Sequence, residues 1–453
     1  MTAIASHAPY ATSTVRRISM MLLLFHFVLV GVRLRFGSFP LEIFFLISGL
    51  TLPMVFGPRY GRAPIDFIQI LLFCLIGLRV VSISGEIIEN PGYFEERVYF
   101  ELHRMMPLFI VYWAYAWRTT LMDIGLTRIF QTMIVAGIIL HGSATIGSAL
   151  SEPVRELVIM FANILDAKSD QSYGAMESTY TLDEYGTDVI RSPGLLKYPA
   201  INAGYLGIMG ALALALYSAY RRYLFVVAYG ICVTGCVLTF SRGGLATLVL
   251  ALLTYFAVNL KVGNIKRVAR LGTFGLIAVA LGVAMLSQVN GGANLAVATE
   301  RFGQFFETDS FESANLKIAS TQLFFDRLIN DNLVVLYPGV GLNIVNLAGR
   351  GHIAFDPNEV GFASNSWLLF AFDAGFAYLL GSILLFASFF AIVMRNCIHL
   401  AIGLIPLIFV CATDNYIAVN FEMHALFWLS VVMLALCAMD RSLDMGTGKG
   451  AYQ

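Results

Sequence analysis

The sequence predicts an all-α integral membrane protein, a single polytopic domain over 1–453 with about twelve transmembrane helices and a large outer loop between helices 9 and 10. Three observations carry this. The 453 residues are 58% apolar and 13% charged, far from the composition of a soluble globular domain. Apolar runs recur at roughly 20 residues, the length a helix needs to cross a bilayer core of about 30 Å. Finally, Lys and Arg concentrate in alternate loops, the bias that orients membrane helices.

The spans are placed in order at 18–36, 40–57, 64–83, 100–117, 124–150, 198–218, 221–240, 243–260, 270–287, 366–394, 397–413 and 421–439. The first follows Arg16-Arg17 without a small-residue cleavage site, so it reads as a retained anchor. The equal totals of 29 basic and 29 acidic residues hide a steep asymmetry. With both termini inside, the inner loops hold Arg59, Arg62, Arg118, Arg221, Arg222, Lys261, Lys266, Arg267, Arg395 and Arg441. The outer loops take carboxylates such as Glu86, Glu89, Glu95, Glu96, Asp183 and Asp188. A single miscounted span would invert this pattern downstream, so the charge map supports an even count.

Two outer loops break the compact topology. The first, 151–197, opens with Ser151-Glu152-Pro153, a capping side chain, an early acid and a first-turn proline. Val154, Leu157, Val158, Phe161, Ile164 and Leu165 follow at helical spacing, an apolar stripe suited to a membrane surface. The second, 288–365, contains an amphipathic helix from about Ser313 to Asn330 and then the turn signal Tyr337-Pro338-Gly339. Long loops with structure of their own usually carry function.

The six cysteines all fall inside spans and form no CxxC, so neither a disulfide framework nor a metal site is expected. No cofactor motif and no nucleic-acid signature appears. Cys232 and Cys236, four apart on one helix, read as small packing residues, as do Ala203, Gly204, Gly207 and Gly210. The outer cations are Arg191, Lys197, Arg242, Arg301, Lys317, Arg327 and Arg350. Of these, Arg242 lies between two apolar spans, where an arginine costs roughly 2.5–3.5 kcal/mol at the bilayer centre. It precedes a helix expected to begin at Gly243-Gly244, and an arginine beside exposed helix N–H groups is suited to an anion, phosphate above all.

Leu238-Thr239-Phe240-Ser241-Arg242-Gly243-Gly244-Leu245 resembles the Ser-Arg-Gly-Gly signature of the O-antigen ligase/polymerase superfamily, the WaaL- and Wzy-like membrane enzymes. Further segments match in order. Arg191-Ser192-Pro193-Gly194 with Tyr198-Pro199 and Asn202 resembles the family's lead into its mid-chain helix. Asp331-Asn332 running to Gly339-Val340-Gly341 resembles its Asp-Asn-Pro…Gly-Val-Gly turn, and Asn365-Ser366-Trp367-Leu368 running to Asp373-Ala374-Gly375 resembles its tenth-span start. The likeness covers about residues 190–395, and the N-terminal third by topology alone.

The resemblance implies a bacterial inner-membrane enzyme with a periplasmic active site and the 288–365 loop on that side. It would transfer glycan from undecaprenyl diphosphate to an acceptor hydroxyl, with no cofactor, metal or nucleotide sugar. Its partners would be the undecaprenyl-diphosphate-linked oligosaccharide and the acceptor glycan, and it allows a chain-length regulator protein. Arg242, Arg191, Arg301, Lys317 and Arg327 would bind the diphosphate, since cations that meet the growing leaving-group charge favour the transition state.

Two departures bear on the chemistry, one being that the arginine the family places at the start of the loop helix is not matched here, Lys317 lying nearest. Where the ligases carry a histidine before the tenth-span asparagine, this chain has Ser364 before Asn365. The general base therefore moves to His352, Asp356, Glu359 or Asp373, and the catalytic set is taken as His352, Glu359 and Asn365. The lost histidine favours a polysaccharide polymerase. An O-antigen ligase acting on lipid A core is the alternative, and a lipid-linked glycan flippase or transporter the second. A membrane O-acyltransferase would need His141 with Ser143. His352→Ala and Glu359→Gln separate the two leading bases: loss of transfer with expression intact is expected for one of them. Full activity in both variants excludes both.

Overall fold

The computed structural model describes residues 65–89, 94–123, 125–165, 192, 194–196, 199–261, 265–288, 366–413, 417 and 421–446, and short pieces between 17 and 40. Apart from one antiparallel pairing of Arg35–Phe36 with Phe39–Pro40, the described regular elements are helical. They are α1 His26–Leu29, α2 Phe67–Glu89, α3 Phe94–Ala116, α4 Arg118–Asp123, α5 Leu126–Leu150, α6 Glu152–Leu165 and α7 Pro199–Tyr220. After these come α8 Leu224–Leu238, α9 Arg242–Lys261, α10 Ile265–Gln288, α11 Ser366–Ala374, α12 Phe376–Asn396, α13 Ala401–Thr413 and α14 Phe421–Gly446.

Among the described residues, five stretches are long and apolar enough to cross a membrane: Leu126–Leu150, Pro199–Tyr220, Arg242–Lys261, Phe376–Asn396 and Met423–Leu443. Each falls on an expected span. Shorter apolar helices, Phe67–Val81, Met105–Ala116, Leu224–Leu238 and Ile398–Thr413, fall on four more. The expected span 270–287 lies within α10; the first, 18–36, holds α1 but ends in the strand Arg35–Phe36, and of 40–57 all but Pro40 lies outside the described residues.

Three further elements differ from the sequence expectation, each for a local reason. The tenth span is two helices, because Gly375 takes φ +86° and ends the ladder of α11 before α12 begins. A positive φ of this kind is open to glycine at no steric cost. The seventh span is only fifteen residues of helix. It stops where Thr239 Oγ1 turns back to donate to Cys236 O at 2.8 Å and Phe240 takes φ +52°. The eleventh opens with a 3₁₀ turn, Ile398–Leu400, ahead of α13, which contains Pro406.

Helix α7 is the axis of the described bundle, with every residue from 202 to 219 buried. A helix apolar on all sides belongs in such a place. Its glycines let neighbours approach. A Cβ on Gly210 would lie 2.3 Å from Leu248 Cδ2 and 3.0 Å from Cys232 Cβ, and one on Gly207 would lie 3.2 Å from Gly244 O. Cys232 and Cys236 are fully buried packing residues, and all six cysteines are free thiols.

Side-chain contacts define two ends. At one, Arg118 meets Asp66 at 3.2 Å, Arg222 donates to Gln131, Thr127 bonds Asp440, and Arg441 donates to Ala219 O. Ser218 Oγ lies 2.9 Å from His399 Nδ1 and accepts from Asn259 Nδ2 at 3.2 Å. These bonds bring together the end of α7 with the ends of α9 and α14 and the start of α5. At the opposite end lie the end of α5, the start of α7 and the α8–α9 turn. Helices α5, α7, α8 and α9 thus alternate in direction, as do α12, α13 and α14.

Gly244 sets the tightest backbone approach of α9 to α7: a Cβ there would sit 2.6 Å from the Ala203 carbonyl oxygen. Backbone cannot yield as a flexible side chain does, so Gly244→Ala should cost about 2 kcal/mol or more and lower the thermal transition in detergent. Gly272, whose Cβ position has nothing within 4 Å, serves as the control. Gly272→Ala should be neutral or slightly stabilising.

Candidate functional site

The turn between α8 and α9 brings three separated motif pieces together. Phe240, 2% exposed and at φ +52°, anchors the turn. A bulky residue in the left-handed region costs roughly 1–2 kcal/mol, a strain that burial of its ring offsets. The turn leaves Ser241 buried and Arg242 half-buried as the first residue of α9, one position ahead of the expected start. Leu245 N–H donates to Ser241 O at 3.4 Å, and Thr247 Oγ1 to Gly243 O at 2.8 Å.

Ser192 comes against this turn, its N–H donating to Leu238 O at 3.3 Å. Its hydroxyl donates to Thr145 O at 2.6 Å and lies 2.7 Å from Ser148 Oγ. Asn202, fully buried in the first turn of α7, donates through Nδ2 to Thr145 Oγ1 at 2.8 Å. Thr145 Oγ1 donates in turn to His141 O at 2.7 Å. Gly194, at φ +61°, completes the junction, because a Cβ there would fall 2.3 Å from Asn202 Nδ2. Cys236 Sγ reaches Ala203 O at 3.5 Å from the α8 side. The junction ties α5, α7 and α8 through buried polar bonds, each stronger in a low dielectric than in water, and α9 packs against it at Gly244. Among the described residues, Asn202 Oδ1 and His141 Nδ1 are buried without a hydrogen-bond partner.

Of the expected site residues, the structure describes Arg242. Arg191, Arg301, Lys317, Arg327, His352, Glu359 and Asn365 lie outside the described residues, as do Asp356, Tyr337 and the helix expected over 313–330. Residue 366, next to Asn365, starts α11 and is fully buried. Trp367 packs edge-on against Phe370, Phe386 and Phe427, with ring centroids about 6 Å apart. Among the described residues, no group of three or more His, Cys, Asp or Glu is placed to hold a metal ion.

His424 and His141 are fixed by their neighbours. Trp428 Nε1–H donates to His424 Nε2 at 2.9 Å. An indole N–H can only donate, so that imidazole nitrogen is an acceptor and the proton of the neutral ring sits on Nδ1. His424 therefore cannot take a proton at Nε2 without breaking this bond. His141 lies 3.0 Å from Val28 O through Nε2 and stacks obliquely on Tyr205 at 4.3 Å. Ser143 is exposed and bonds its own helix at Ile139 O and Leu140 O. The two are not brought together, so the acyltransferase pairing is not formed.

Helix α6 begins at Glu152 directly after Ser151, with Glu152 and Arg155 3.8 Å apart in its first turn. Val158 is buried and Val154 faces Gly147 of α5, while Leu157, Met160 and Phe161 are nearly half exposed.

Sequence reasoning missed Thr145 and Ser148, the partners that hold Ser192 and Asn202. Hydroxyl residues on an apolar helix mostly satisfy their own backbone, and nothing in the sequence pairs them with residues some fifty positions away. It also passed over Arg79, fully buried in α2 with its guanidinium 4.5 Å over the Tyr378 ring. An isolated arginine within an apolar run was a usable signal.

Neither a family model nor any curated protein matches the chain. Gly194→Ala should cost about 1–2 kcal/mol from its left-handed φ alone, and more from the clash with Asn202. A fall in the detergent thermal transition checks it. Asn202→Ala, which relieves that clash in the double variant, should recover part of the loss.

Proposed function

We propose that this protein is a membrane glycosyltransferase of polysaccharide assembly, a Wzy-like polymerase of O-antigen or exopolysaccharide in the bacterial inner membrane. It transfers glycan from undecaprenyl diphosphate to an acceptor sugar hydroxyl at the periplasmic face. The observation that carries this reading is the convergence at one junction of Ser192 and Gly194, Asn202, and the Ser241–Gly244 turn that starts α9 with Arg242. These motif pieces are dispersed in sequence, and the resemblance to the superfamily was built on them.

The chemistry follows from the residue types. The bond that breaks joins the anomeric carbon to a diphosphate oxygen, and the bond that forms joins that carbon to the acceptor oxygen. The acceptor proton passes to a base among His352, Glu359, Asp356 and Asp373, with Asn365 beside it. The diphosphate leaves as an anion, and Arg242 with its planar, bidentate fork meets that charge at the start of α9. Arg191, Arg301, Lys317 and Arg327 add to the cationic surround. A leaving group stabilised in this way needs no acid.

The proposed topology has twelve spans with both termini cytoplasmic. It is supported by the cluster of Arg118, Arg221, Arg222, Lys261, Arg395 and Arg441 at the end opposite Arg242. The exposed apolar residues of α6 suit an outer-surface helix lying in the interface. A ligase would use the same diphosphate site with lipid A core as acceptor, and Ser364 in the ligase histidine's slot favours polymerisation.

Arg242→Ala should reduce polymer formation by about a hundredfold or more with membrane expression unchanged, read as polymer length on a gel and as transfer from lipid-linked oligosaccharide in reconstituted membranes. Arg242→Lys should also be poor, because a point charge lacks the bidentate fork. Normal polymer length in Arg242→Ala would overturn the diphosphate assignment.

A further inference from the structure

Arg79 stands apart from the junction just described. It lies twelve residues beyond Phe67 in α2, about 18 Å along the helix axis at 1.5 Å per residue. Its side chain is 0% exposed. An arginine at that depth of a membrane helix is costly and is kept where it does something specific. Its guanidinium carbon sits 4.5 Å from the centre of the Tyr378 ring, the geometry of a cation–π contact, which strengthens when water is excluded.

Tyr378 is the third residue after Gly375, the left-handed break that separates α11 from α12, and its N–H donates to Gly375 O at 3.1 Å. Its ring meets Phe370 of α11 edge-on at 6.0 Å. Phe370 in turn lies 5.4 Å from His424 of α14, which Trp428 holds by its indole N–H. One continuous stack of buried rings therefore runs from the α2 cation through the pivot to α14. Helix α11 is only nine residues long. With a glycine at its far end, its angle to α12 is fixed by this packing rather than by its own backbone.

We propose that Arg79 is a positioning residue: through Tyr378 it sets the angle of α11 to α12 and so holds the start of α11, next to Asn365, in place. The structural part stands alone, and the catalytic consequence rests on the glycosyl-transfer reading above. Loss of the cation or of the ring loosens α11, while substitutions that keep the cation–π contact do not.

The test uses the full-length protein with Ser366→Cys as a reporter, since Ser366 is fully buried at the start of α11. Maleimide labelling of this cysteine in detergent should be at least tenfold faster with Arg79→Met or Tyr378→Leu. With Arg79→Lys or Tyr378→Phe it should stay within about twofold of the parent. Labelling of exposed Cys74, followed separately by peptide mapping, serves as the internal standard. In the transfer assay Arg79→Met should lower kcat about tenfold with KM nearly unchanged. Tyr378→Leu changes no charge, and it decides the matter if Arg79→Met does not fold. Unchanged Ser366→Cys labelling in Tyr378→Leu, or fast labelling in Tyr378→Phe, overturns the proposal. Failure of the diphosphate assignment would show in Arg242→Ala and leave the labelling result untouched.

Discussion

The placement of Arg242 depends on how closely two helix backbones can approach. Gly244 lies against the Ala203 carbonyl with no room for a side chain, so the first turn of α9 is pressed onto the first turn of α7. Arg242 leads that turn and has little freedom of its own to relocate. A bulkier residue at Gly244 would push the helices apart and carry the cation with them. Packed interiors transmit such displacements because they hold few voids. Gly244 of the signature thus places the turn through packing, while the role proposed for Arg242 is one of charge.

The polar junction around Thr145 supplies the second constraint. Backbone and hydroxyl groups of α5 accept from Ser192 and Asn202, locking the segment before α7 to the helix that precedes it. Each such bond contributes on the order of 1 kcal/mol net, but a buried partner left unsatisfied costs about 1–3 kcal/mol. The junction is therefore cooperative. It backs the Arg242 turn on the α5 side, and Gly194 leaves room for the Asn202 amide at its centre.

Across the bundle, the α11–α12 break has a different support. A short helix ending at a left-handed glycine has no intrinsic direction, and here aromatic rings and a buried cation provide it. In the proposed transfer reaction, the two halves of the chemistry rest on separate scaffolds. The anion side stands on close helix packing and a hydroxyl–amide network. The side nearest Asn365 stands on ring stacking around Arg79.

The sequence by itself determined the class and much of the layout. Run length marked nine spans that coincide with apolar helices of the structure, from 64–83 to 421–439, because an apolar helix is a local property of about twenty residues. It placed the start of α6 at Ser151-Glu152 and the start of α9 within one residue, from capping and glycine chemistry. It singled out Ser192, Gly194, Asn202 and Arg242 through motif resemblance, but as separate pieces. Only the tertiary structure decided that Thr145 of α5 joins Ser192 and Asn202, that His141 and Ser143 point apart, and that Arg79 meets Tyr378 some three hundred positions away. The division has a physical cause. Burial and helix formation are set by near neighbours in the chain, whereas the partner of a polar side chain is set by which helices pack together, and packing depends on the shapes of both surfaces at once.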